Sequence, residues 1–85
     1  MRKTITKNVY GVDMDFDVST APADSAVHVH VAINPNSLEK FERVTEQSNV
    51  LLWVATGVAV EMHPNAHLMF TQINMGIEWQ GQFDY

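Results

Sequence analysis

A chain of 85 residues suffices for one domain that buries only about 60–65% of its unfolded surface, so 1–85 reads as a single unit with a thin stability margin. Without cysteine it has no disulfide framework or thiolate metal site, and a hydrophobic content of 46% excludes a disordered tail. A net charge of −5, with only five Lys and Arg and none after Arg43, excludes the cationic stripe that DNA or RNA binding requires.

The opening MRKTITKNVY lacks the apolar run of a secretory signal, so a cytoplasmic location is expected. The first organised segment follows directly. Val12, Met14, Phe16 and Val18 alternate with Asp13, Asp15 and Asp17, the period of a strand with one face buried. A two-residue turn at Tyr10 and Gly11 sets Val9 opposite Val12 and Ile5 opposite Phe16. The same turn aligns Asn8, Thr6 and Thr4 with the three aspartates. Two features fit this hairpin poorly: Lys7 falls on the apolar side opposite Met14, and Tyr10 needs an uncommon positive φ.

Residues 19–25, STAPADS, read as a loop. A strand AVHVHVAI then places Val27, Val29, Val31 and Ile33 on one face and His28 and His30 on the other. Asn34, Pro35 and Asn36 end it. A helix is expected from an N-cap at Asn36 or Ser37 to about Ser48. Its inner stripe is Leu38, Phe41, Val44 and Thr45, with Glu42, Arg43, Glu46 and Gln47 largely solvated.

Residues 50–62 are ambiguous. Extending the helix keeps a stripe through Leu52, Ala55, Ala59 and Met62 but leaves Val50, Trp53, Val54 and Val60 around it, and a helix apolar on every side must be buried all round. The β-branched content favours a strand pair broken near Thr56 and Gly57. Neither form is long enough to cross a membrane, which takes roughly 20 apolar residues.

In the C-terminal stretch Met69, Thr71, Ile73, Met75, Ile77, Trp79, Phe83 and Tyr85 share one parity. An unbroken strand of this length would outrun the domain, so a turn is required. A loop at Asn74, Met75 and Gly76 would set Ile73 against Ile77 and Thr71 against Trp79. The fold class expected is α+β: two β-hairpins and a further strand, mostly antiparallel, packed on one helix.

Candidate chemistry is sparse. His28 and His30 project from one strand face about 6.6 Å apart and, with His63 and His67, form the only metal-ligand pattern. Asp13, Asp15 and Asp17 form a row whose spacing resembles successive phosphates, but they do not converge on one cation; a solvated face that resists edge aggregation is the plainer reading. No nucleophile motif or phosphate-binding loop occurs, so no enzyme activity and no cofactor is expected. Trp79 shares the inner parity; with Phe83 and Tyr85, taken as aromatics on a terminal edge strand, it forms a candidate contact set that Asp13, Asp15 and Asp17 extend. The function expected is a non-enzymatic protein-binding module, an inhibitor or adaptor of the kind phages and mobile elements encode, with homodimerisation as a further expectation. A small metal protein using the four histidines and a structural subunit of an assembly are the alternatives.

Overall fold

The computed structural model describes residues 1–9, 11–21, 23, 25–32, 44–74 and 78–85. They form strands β1 (Arg2–Val9), β2 (Val12–Ala21) and β3 (Ala26–Ala32), helix α1 (Val44–Met62), and strands β4 (His67–Asn74) and β5 (Glu78–Asp84). The strands make one antiparallel five-stranded sheet in the order β1-β2-β3-β5-β4, so among the described residues β1 and β4 are its edges.

The first hairpin has the register that alternation requires. Val9 faces Val12, Ile5 faces Phe16, and Asn8, Thr6 and Thr4 face Asp13, Asp15 and Asp17. Gly11 takes φ +83 at the turn, where a side chain would be strained even though the space beside it is open. Its N–H donates to Asn8 Oδ1 at 3.1 Å. Tyr10 lies outside the described residues.

The stretch 19–25 is not all loop. Ser19 to Ala21 continue β2 and pair with His28, Val27 and Ala26 of β3. Thr20 N–H also donates to the Met1 carbonyl at 2.8 Å, which extends the outer ladder past Arg2. Backbone hydrogen bonding on both sides outweighed the loop-like composition. Ser25, at φ 48, adopts the left-handed turn conformation, and its carbonyl accepts from Tyr85 N–H at 3.0 Å.

The largest departure from expectation is the helix, which does not stop near Ser48. Residues 50–62 are helical as part of α1, not a strand pair, and Gly57 is a helical residue. The expected N-cap at Asn36 or Ser37 and the stripe residues Leu38 and Phe41 lie outside the described residues. The buried stripe is Gln47, Leu51, Ala55, Val58 and Ala59. Leu52 is only partly buried, and Gln47, expected in solvent, is fully enclosed. Thr56 Oγ1 donates to the Leu52 carbonyl at 2.7 Å, which satisfies a hydroxyl on a flank of the helix. The helix is not buried on every side: Leu51, Ala55, Val58 and Ala59 pack in the core while Trp53, Gly57 and Val60 stay exposed.

The helix-side face of the sheet supplies the rest of the core: Met14, Phe16 and Val18, then Val27, Val29 and Val31, then Trp79 and Phe83. Gly81 lies between the last two. A Cβ there would stand 2.7 Å from Trp79 Cη2 and 3.2 Å from Phe83 Cε2, so the indole rests on the glycine. The β4–β5 register is shifted by two from that expected, with Ile73 opposite Trp79 and Thr71 opposite Gly81. A two-residue shift keeps parity, which is why the alternation survived it. A bulge between Leu68 and Phe70 then brings Leu68, not Met69, opposite Phe83 on the helix side.

No helix among the described residues is long and apolar enough to cross a membrane.

Candidate functional site

Three surfaces carry side chains that the core does not use. The first is the open face of the sheet, away from α1. Cross-strand pairing lines up Asp17 with His30, Ser19 with His28, His30 with Gln80 and His28 with Gln82. With Arg2 and Phe70 these residues line a concavity of about 300 Å³. His30 lies between two carboxylates, its Nδ1 3.8 Å from Asp17 Oδ2 and its Nε2 3.6 Å from Glu78 Oε1. Such a half-exposed ion pair forms when the imidazole is protonated and is worth little at the surface.

The aspartate row is part of this face but is already engaged. Asp13 accepts from Asn8 Nδ2 at 3.0 Å, Asp15 from Thr6 Oγ1 at 2.7 Å and Asp17 from Thr4 Oγ1 at 2.8 Å. The three acids are the acceptor half of a cross-strand ladder, so they give β1 a polar seam against β2. The four histidines are not brought together. His63 lies just past the end of α1 with its ring stacked on Tyr85, centroids 3.7 Å apart and planes 6° apart. His67 Nδ1 lies 3.3 Å from the Asn65 carbonyl. Among the described residues no group of three or more His, Asp or Glu side chains is placed to hold a metal ion.

The aromatic contact set is dismantled by the topology. β5 carries Trp79 and Phe83 near the end of the chain, but it sits between β3 and β4 and is no edge. Both side chains are fully buried and cannot touch a partner. Trp79 Nε1 is enclosed with no hydrogen-bond partner among the described residues. Tyr85, at the rim, keeps an exposed side over His63.

The second surface is the outer face of α1. Trp53 is 76% exposed and Val60, two turns on, 39% exposed. Gly57 lies between them at helical spacing, with nothing within 4 Å of where its Cβ would be, so it leaves a notch. The third is β4 itself. All eight of its residues are exposed, including Leu68, Met69, Phe70 and Ile73. Neither surface was found from the sequence. Trp53 was the available signal, as the largest of the four residues that the helical stripe left out.

Comparisons with protein-family models, with curated protein sequences and with solved structures gave no match.

Proposed function

We propose that the chain is a non-enzymatic module that binds another protein through the outer face of α1, with Trp53 as its anchor. The observation that carries this reading is the exposure of Trp53. A tryptophan offers up to roughly 250 Å² of surface, and three quarters of that at about 25 cal/mol per Å² is roughly 3 to 5 kcal/mol of burial free energy. That is the size of an interface hot spot, a role for which Trp is enriched. A lone exposed apolar side chain is ordinary. Here, however, Trp53 stands on one face with Val60 and the Gly57 notch, a knob and a recess that a partner can interlock with. The net charge of −5 favours a partner whose apolar pocket has a basic rim, because opposite fields speed encounter and select against acidic competitors.

The test is differential capture from source-cell lysate on immobilised wild-type protein, on Trp53→Ala and on Asp15→Ala, whose change lies on the opposite side of the sheet. A protein retained by wild type and Asp15→Ala but lost with Trp53→Ala, at unchanged melting temperature, supports the reading. Identical retention by all three overturns it.

A further inference from the structure

We propose that β4 is a homodimer interface, pairing antiparallel with β4 of a second copy so that the two sheets become continuous. The inference does not depend on what Trp53 binds.

The two edges of the sheet are chemically unlike. β1 carries Arg2, Lys3 and Lys7, charges that oppose self-pairing and mark a protected edge. β4 reads HLMFTQIN, with no Lys, Arg, Asp, Glu or Pro. It runs eight residues, so it is not a shortened edge. Of the devices that blunt an exposed strand, basic charge is present on β1 and absent from β4, whose one such feature is the bulge near its end.

The roof over β4 identifies the occupant. The bulge brings Leu68 onto the helix side with Thr71 and Ile73. There Leu68 remains 41% exposed and Ile73 38% exposed, so the packing of α1 against β4 leaves them incompletely covered. Antiparallel self-pairing relates two copies by a two-fold axis perpendicular to the sheet, which puts both helices on the same face. Each α1 packs on β3, β5 and β4 of its own sheet, so a helix lies on either side of the new seam. Leu68 and Ile73 of both copies meet between them. An unrelated strand would complete the hydrogen bonds but bring no second helix, whereas a second copy supplies both through a self-complementary contact. In the dimer the two Trp53 faces point the same way, away from the sheet, so the dimer is bivalent toward any partner of that face.

The chain contains no cysteine, so single introduced cysteines report directly on the contact. Near the axis, equivalent Cα atoms lie about 4.5–5.5 Å apart, within disulfide range. Single cysteines are placed in turn at positions 69 to 73, with Thr6→Cys on β1 as the control. Sedimentation should show a wild-type dimer at about 100 μM. Oxidation should give covalent dimer from at least one β4 position and none from Thr6→Cys. Thr71→Lys should raise the dissociation constant about 100-fold, with its circular dichroism unchanged. A wild-type monomer at that concentration overturns the proposal, as does a dimer that survives Thr71→Lys and cross-links only through β1.

Discussion

Trp53 and Trp79 share a side chain and occupy opposite environments, one 76% exposed and the other 0%. Their substitutions should therefore separate. Trp79→Ala is expected to cost about 3–5 kcal/mol, a large part of the roughly 4–13 kcal/mol that a chain of this length holds, whereas Trp53→Ala should stay within about 0.5 kcal/mol. Urea denaturation of both variants checks the contrast, and a large loss for Trp53→Ala would place that residue in the core. Gly81 makes a sharper case. An added methyl at 2.7 Å from Trp79 Cη2 cannot be accommodated while the indole is enclosed. Gly81→Ala should cost about 1–3 kcal/mol, and a neutral result would show that the ring does not rest on that backbone.

At the scale of elements, what was legible in the sequence depended on the period of the pattern. The β1–β2 register follows from four alternating apolar residues and one turn, because a one-residue slip would turn every side chain to the wrong face. The β4–β5 parity was legible for the same reason, but its register was not, since a two-residue shift leaves alternation intact. Residues 50–62 misled because β-branched residues at 50, 54, 56, 58 and 60 mimic strand composition while sheet contact through Leu51, Ala55, Val58 and Ala59 decides for helix. Gly57 discriminates directly between the two. In a helix with open space beside it, Gly57→Ala should stabilise by about 0.5–1 kcal/mol. At the turn of a strand pair the same change would destabilise. Thermal denaturation of this variant reads the sign.

For the whole molecule, the question is where surplus apolar surface was left. Alternation identified which residues share a face, but not which faces are covered, since coverage depends on strand order. Chain order placed Phe83 and Tyr85 on a terminal edge, whereas the topology buries Phe83 and makes β4 the edge. The candidate site moved with it, from the end of the chain to α1 and β4. The charge reading concerns the molecule as a whole as well. With Arg2, Lys3 and Lys7 together on the narrow β1 edge and a net charge of −5, duplex DNA should not bind at physiological salt. A submicromolar, salt-sensitive affinity in a fluorescence-anisotropy titration would contradict this.

The claim that the open face of α1 is a protein-binding surface is tested most directly by site-specific photo-cross-linking. A benzophenone side chain is placed at position 53 and, as the control, at position 15 on the far side of the sheet. The account predicts a discrete protein adduct from position 53 in source-cell lysate, competed away by excess wild-type chain but not by Trp53→Ala, and no such adduct from position 15. No adduct at position 53, or the same adducts from both positions, would contradict it.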